Sequence, residues 1–559
     1  MRKASALLTL FIILLIGAKA QTTYEHISNT GIYEFLDELA NQGYITLNST
    51  AKPYSRQYIA QKLEEADKAK QPMGRMLRQD LDFYLKAYFL ELGSDAEQAY
   101  IITSKQDKSR LGLSFASFSG FYNDSLLRFS ARPVAGFNYF TNADTSLSHR
   151  WIGAEAFAYI GKNLGLYANL RDNHESSLIT GPTYFTLRPG APVKNFGTAG
   201  VDYSEMRGGI VYSWDWGSLG LIKDHVVWGD NYHGSNILSG RTPSFAHISF
   251  KLKPARWIEL NYIHGWLVSN VIDSSRSFYD DYVFRPVFRN KFIAANLITI
   301  TPFKRLNISF GNSVIYSDMG VHPAYLIPVF FYKSVDHTLN NTNTLGETGQ
   351  NAQMFASISS RQINKLHLYT SVYFDELNVS RIKNGQIHNF FSLKFGARTS
   401  SLLLDRLVLT FEYTLTKPLT YAHKISTTTF TSNYYNLGHY LLGNSKELYL
   451  AAQYKPRRGL SLKIDYTLAK HYNDYYYTNR PDIDGDQPFK DLTWQSNIIG
   501  LSAEWEVAVN TALFAGLTIS NVKGFDVDGH KAQYYLDKYT PKAFQGEKST
   551  INAGFRIGF

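Results

Sequence analysis

The chain has 559 residues, 44% of them hydrophobic, with a mean hydropathy of −0.24 and a formal net charge of +10. It holds no Cys, which excludes a disulfide framework, a thiolate metal site and a lipid-modified cysteine. It is rich in aromatics, with 39 Tyr and 36 Phe, and is longer than most single domains unless the fold is a large barrel.

Residues 1–20 read as a signal peptide. Arg2 and Lys3 form its positive start, residues 7–16 a short apolar core, and Ala18-Lys19-Ala20 a small-residue cleavage pattern that makes Gln21 the new N-terminus. That core is too short to span a bilayer. No later apolar run approaches 18 residues, so the sequence predicts an exported protein with no helical anchor. Removing Arg2, Lys3 and Lys19 leaves a charge of +7. A basic surface favours anionic partners such as phosphorylated lipopolysaccharide or acidic polysaccharide; nucleic acid is not expected for an exported chain.

Residues 21–100 predict a small helical bundle. Asn29 or Thr30 caps a helix with Ile32, Phe35, Leu36 and Leu39 on one face, stopping at Gly43. Ser55 caps a second with Ile59, Ala60 and Leu63. A third runs over 76–92, with Leu77, Leu81, Leu85, Tyr88 and Phe89 at helical spacing and Gly93 after it. Such helices do not belong in hydrocarbon, so the bundle is expected in the periplasm. Residues 101–125 form a connecting segment. Its strand-like part, 110–122, either lines a lumen or joins a sheet.

From residue 126 to 559 the period changes to two. Leu460, Leu462, Ile464, Tyr466 and Leu468 alternate with Ser461, Lys463, Asp465 and Thr467; Leu407 to Leu415, Phe391 to Phe395 and Leu306 to Phe310 behave likewise. Apolar-out, polar-in strands of about ten residues are the pattern of a transmembrane barrel, where no long apolar run appears. Tight links fall near 161–164, 214–217, 253–256, 301–304, 362–365, 401–405, 455–459 and 506–510, with longer polar stretches between them. Segregated short and long connections fit periplasmic turns and outer loops. Eight tight hairpins, an opening strand near 126–141 and a closing strand at 549–559 make about 18 antiparallel strands. The last strand, STINAGFRIGF, sets Ile551, Ala553, Phe555, Ile557 and Phe559 on one face. It is placed to close the sheet and remove both edges. Its terminal Phe resembles the signal that barrel assembly machinery reads.

The fold class expected is therefore an all-β transmembrane barrel with a small N-terminal periplasmic α-helical bundle, set among outer-membrane lipids. Lys394, Lys463 and Arg556 are expected to pair in the lumen with Glu412 and Asp465, because a charge on the lipid side costs roughly 2–4 kcal/mol at midplane.

No catalytic pattern stands out: HExxH, GxSxG and a phosphate-cradling Gly loop are all absent from the sequence. No enzyme, cofactor or metal is expected. Asp482, Asp484 and Asp486 lack the spacing and distal Glu of a calcium loop and read as a solvated turn. Tyr475, Tyr476 and Tyr477 serve either an aromatic girdle or stacking on sugar rings. Trp228, Asp230, Asn231, Tyr232 and His233 begin an expected outer loop. They either bind carbohydrate or pack as a plug in the barrel mouth.

This layout resembles the Wzi-like capsule-assembly family of outer-membrane proteins. The resemblance rests on residues 33–63 (YEFLDELANQGYITLNSTAKPYSRQYIAQKL), 226–245 (VVWGDNYHGSNILSGRTPSF), and 341–353 ahead of Asp375-Glu376. The longer loops and Tyr-rich sequence look like those of a Bacteroidetes protein. The resemblance implies an 18-stranded barrel over a periplasmic bundle, and a lectin-like role in binding capsular or surface polysaccharide at the cell surface. The rival readings are an outer-membrane channel for small solutes and a soluble periplasmic β-protein.

Overall fold

The computed structural model describes residues 21–93, 100–106, 109–197, 200–339, 349–377, 389–475 and 487–559. The signal-peptide stretch 1–20, Tyr476, Tyr477 and the three aspartates at 482–486 lie outside them.

Eighteen antiparallel strands close into a barrel. They are β1 (Leu127–Thr141), β2 (Ser146–Ile160), β3 (Leu164–Glu175), β4 (Gly200–Trp214), β5 (Gly217–Asp224) and β6 (Phe245–Ala255). Next come β7 (Ile258–Leu267), β8 (Lys291–Phe303), β9 (Leu306–Ser317), β10 (Asn351–Ser360), β11 (Leu366–Glu376) and β12 (Phe390–Ser400). The wall is completed by β13 (Leu407–Thr416), β14 (Ser445–Arg457), β15 (Leu460–Tyr472), β16 (Leu492–Ala508), β17 (Thr511–Gly524) and β18 (Gly546–Ile557). All eight tight links predicted from alternation fall between the expected strand pairs and define a short-turn end; the long connections gather at the other. One long-loop-end connection, residues 142–145, is itself tight.

Closure is made by β18 against β1, from Ile551 opposite Thr141 to Ile557 opposite Ala135. Ile551 and Phe555 are exposed on the outward face, as are Leu462 and Ile464 of β15 and Ile499 and Leu501 of β16. Phe559 does not join them. Gly558, at φ +80°, turns the chain out of the alternation. The last ring is buried inside, stacked on His26 at 3.9 Å between centroids. Where β18 stops, a three-strand meander takes over its side of β1. Residues 100–106, 109–114 and 119–123 pair in turn, and Gly120 to Asn123 lie opposite Ala131 to Arg128. The segment read as a connector thus extends the sheet.

Helices form in all three expected stretches, but Asn29, at the N-cap of the first, makes no side-chain cap and instead donates to Glu25 at 2.5 Å. Ser55 Oγ accepts the Tyr58 N–H at 3.1 Å and caps α2 (Arg56–Asp67), satisfying one of its free donors. Before it, α1 (Thr30–Asn41) ends short of Gly43, at φ +85°. The third helix breaks at Tyr88 into α3 (Arg75–Ala87) and α4 (Phe89–Leu92). Ile32, Leu36, Leu39, Ile59, Leu63, Leu77 and Leu81 form one apolar core. The bundle's polar side closes the short-turn end. Asp37 and Glu38 of α1 meet arginines carried on the tight turns: Arg361 at 2.8 Å from Asp37 and Arg406 at 2.8 Å from Glu38. Arg305 Nη2 donates to the Asn41 carbonyl at 2.8 Å. Leading into α1, residues 21–25 run close along the inner wall. A Cβ on Gly165 of β3 would lie 2.1 Å from the Thr22 carbonyl oxygen, so only glycine permits this approach.

Candidate functional site

In β8 and β9 the odd-numbered residues face the bore and the even-numbered ones face away, because successive side chains in a strand alternate. Much of the bore is occupied by the protein's own chain. From the short-turn side, Ala51–Lys52 enters as a strand and pairs with Val227–Trp228, which pairs with Leu238–Ser239. The last two belong to the connection 225–244, which enters from the long-loop end.

The expectation of an outer loop beginning at Trp228 is therefore corrected: this stretch lies inside the barrel. Trp228 is 2% exposed and packs near Phe355 of β10. Asp230 accepts from Ser49 and from Thr50 Oγ1. Asn231 Nδ2 donates to the Gly229 carbonyl at 2.8 Å. The backbone N–H groups of Tyr232 and His233 donate to the two oxygens of Glu412 at 2.6 and 3.0 Å. Glu412 also takes Lys394 Nζ at 2.8 Å and the Tyr369 hydroxyl. The His233 ring stacks on Tyr449 at 4.0 Å, with Nε2 at 3.4 Å from Glu447. The five residues are brought together within the barrel, and Asp230, Asn231, Tyr232 and His233 are held there by these polar contacts.

A second long connection, 417–444, locks over the first. Tyr421 N–H donates to Asp375 at 2.6 Å and its hydroxyl to the Asn236 carbonyl at 2.6 Å. Ser239 N–H donates to the Leu437 carbonyl at 2.8 Å. Tyr421, Phe430 and Leu437 pack with Trp228, Ile237 and Leu238 in one apolar cluster. Elsewhere the filling is looser. Lys463 and Glu504 keep about a third of their side chains exposed, beside a cavity of about 350 Å³ between α1 and β14–β16. Two of the three expected lumen pairs form as read: Lys394 with Glu412, and Lys463 with Asp465 at 3.5 Å. Arg556 pairs instead with Glu504, at 2.5 Å, because Glu504 lies nearer on the adjoining wall.

At the short-turn end the plug is ionic. Arg56 bridges Glu25 at 2.5 Å and Glu91 at 2.6 Å, and Arg207 bridges Glu155 at 2.7 Å and Asp224 at 3.2 Å. Burial raises the Glu25 pKa, but the Arg56 and Arg132 guanidiniums outweigh it and hold the carboxyl at about 2. Burial, with Arg207 nearby, lowers His26 to about 4, so its ring is neutral at pH 7.

His26, Glu205 and His225 bring three potential metal-ligand atoms within 4.8 Å of one another. Ser28 N–H donates to His26 Nδ1 at 3.0 Å, which keeps the ring proton on Nε2, the atom facing Glu205. Arg171, 3.2 Å from Glu205, adds positive charge. His225 Nε2 meets Glu205 at 2.6 Å and ties the plug to β4, while His26 Nε2, 3.9 Å from Glu205, makes no hydrogen bond among the described residues. With the Arg171 guanidinium alongside, the trio suits a cation poorly.

Exposed aromatics gather instead at the long-loop end. The hairpin of Phe278–Asp280 and Val283–Arg285 carries Phe278, Tyr279, Tyr282 and Phe284, all exposed, with Tyr282 fully so. Arg276 and Arg285 flank it, about half exposed. A second small hairpin, Thr431–Ser432 with Tyr435–Asn436, presents exposed Tyr434 at its turn. The turn of the second hairpin touches the exit of β7, where the connection to the first begins: Asn433 N–H donates to the Val268 carbonyl at 2.9 Å, and Val268 N–H to Ser432 Oγ at 3.1 Å. In the sequence the rings of the first hairpin are short aromatic clusters, Phe278-Tyr279 and Tyr282-Val283-Phe284, without the alternation of a strand and inside a polar connection, so no local period marks them. Tyr475 donates to the Gln487 carbonyl at 3.0 Å on the same end.

No protein-family profile matches the chain, and no curated protein does. Solved structures do match in fold. Over 97% of this chain and 100% of its own, Wzi from Escherichia coli superposes with a TM-score of 0.55 at 12% identity. It is described as an outer-membrane protein involved in group 1 capsule assembly and a carbohydrate-binding β-barrel. OccD3 from Pseudomonas aeruginosa gives 0.41 at 11% identity over 77% of this chain and 90% of its own. OccAB2 from Acinetobacter baumannii gives 0.41 at 9% identity over 77% and 97%. The Wzi likeness establishes the fold, an 18-stranded barrel with N-terminal helices.

Proposed function

We propose that this protein is a non-enzymatic outer-membrane barrel that holds surface or capsular polysaccharide on its long-loop end, with the helical bundle in the periplasm. The carrying observation is that the connections 225–244 and 417–444 occupy the bore and hydrogen-bond to its wall and to each other, which leaves the outer surface as the working face. Tyr279, Tyr282 and Tyr434 offer flat apolar faces with polar tips, suited to sugar rings. Arg276 and Arg285, half exposed and paired with Asp273 at 2.7 Å and Asp280 at 3.4 Å, add donors and acceptors for sugar hydroxyls beside these rings. Each contact is weak, and a repeating polymer engages several at once, so avidity exceeds any single contact. Trp228, Asp230, Asn231, Tyr232 and His233 serve this reading by setting the plug that carries the surface loops.

The test is binding of the purified protein to polysaccharide extracted from its own cells. The variant Tyr279→Ala/Tyr282→Ala/Tyr434→Ala is expected to lose about tenfold or more in apparent affinity, from three stacking contacts at roughly 0.5–1.5 kcal/mol each. Unchanged binding by the variant, or none by the parent, contradicts the proposal.

A further inference from the structure

The outward wall of β7–β9, otherwise apolar, carries a few polar groups where a lipid-facing wall should have none. Lys291, Ser309 and Ser317 point into the bore, toward Thr431, Thr50 and Thr427. Asn296 and Asn312 therefore point out, directly opposite each other on β8 and β9. Tyr316 and His264 face the same way, joined at 2.7 Å. Asn312 stands midway along β9, five residues from its end at Ser317. At 3.3 Å per residue and a tilt near 45°, that is roughly 12 Å below the rim. Yet all four residues are buried.

They are covered by the chain itself. After β9, residues 318–331 fold back down the outside of the barrel, and α5 (Tyr332–Leu339) follows. Tyr325 and Tyr332 pack on Tyr262, Phe292 and Tyr316. At the turning point, Asn296 Nδ2 donates to the Phe330 carbonyl at 2.9 Å, and Asn312 Oδ1 accepts the Tyr332 N–H at 2.9 Å. Asn312 Nδ2 also donates to Asn296 Oδ1 at 2.9 Å. The wall's two amides and the segment's irregular backbone satisfy each other. Backbone outside a helix or sheet persists at membrane depth only when protein groups satisfy it.

The other side of this segment is the run LIPVFF, residues 326–331. Leu326, Ile327, Phe330 and Phe331 are exposed, and Val329 is 63% exposed. Ile308 and Phe310, on the same outward face of β9 as Asn312 and next along the strand, are exposed and apolar as well. We propose that residues 326–331 are a re-entrant foot immersed in the outer leaflet, with lipid acyl chains as their partner, pinned to the wall by Asn296 and Asn312. The proposal rests on the membrane placement above.

The sequence has no Cys, so single-cysteine variants label cleanly. The protein carrying Val329→Cys is spin-labelled, reconstituted in phospholipid bilayers, and compared with Ile308→Cys on the wall and Tyr282→Cys on the exposed hairpin. Oxygen and a water-soluble nickel chelate serve as relaxing agents. The label at 329 is expected to match that at 308, favouring oxygen several-fold over nickel. Nickel access like that at 282 overturns the proposal, as does shielding from both agents, which means protein covers the segment. Nickel access at 308 itself overturns the membrane placement and the proposal with it. In an Asn296→Leu/Asn312→Leu background the label at 329 is expected to become several-fold more mobile; unchanged mobility overturns the pinning role.

Discussion

Two long connections leave the same end of this barrel and fold back along its wall, one inside and one outside. Residues 225–244 go in, and residues 318–339 go out. Inside, Asp230, Tyr232, His233 and Asn236 meet a wall offering Glu412, His367, Ser371 and Ser392. Outside, the wall offers two amides, which take backbone groups of the segment, and Leu326 to Phe331 remain uncovered. The inward connection finds partners for both its polar groups and its apolar ones, Trp228, Ile237 and Leu238, which pack on Ile293, Leu297 and Phe355 of the wall, whereas the outward one leaves its apolar run uncovered. A loop's direction thus follows the match between its free groups and the wall it lies on.

The strongest way to break this comparison is at Glu412. Glu412→Leu removes the acceptor for two loop N–H groups and leaves Lys394, fully buried, without its partner. Breaking such a pair costs roughly 3–5 kcal/mol. Amide hydrogen exchange across 225–244 is expected to rise by roughly a hundredfold or more, with 318–339 unchanged. Equal protection of 225–244 in both proteins would show that Glu412 does not hold the inward loop.

A smaller effect sharpens the inward side from its other end. The His26 pKa in the fold is about 4, below its ordinary 6.5. The stabilisation is therefore full above pH 6.5 and is lost as pH falls toward 4, a loss on the order of 3 kcal/mol. Glu25, held near 2 from an ordinary 4.5, adds a second loss between pH 4.5 and 2. Proteolysis of the N-terminal segment and helices is expected to accelerate as pH drops from 6.5 to 4, and His26→Gln is expected to flatten that dependence. A rate independent of pH in the parent would contradict this linkage.

Much of the fold was legible because barrel strands write their register locally. Period-two alternation located all eight short turns, and helix ends were marked by the Ser55 hydroxyl and by the left-handed backbone of Gly43 and Gly93. Tyr88 broke the third helix without a sequence signal, since Leu85, Tyr88 and Phe89 continue its period. Phe559 left its strand's face through Gly558, a residue that permits the turn without requiring it. The candidate site was less legible. Trp228 to His233 were picked out as a group, but their direction depends on Glu412, about 180 residues away, and no local pattern carries such a partner. The outward foot did have a signal: six consecutive apolar residues at 326–331 inside a stretch that averages polar.

The most direct test of the central claim, a bore occupied by the protein's own loops, is the conductance of the purified full-length protein in planar bilayers. The account predicts no steady open pore in the parent protein and openings in Glu412→Leu. A steady, solute-permeable conductance in the parent would contradict it and make a transport channel the better reading.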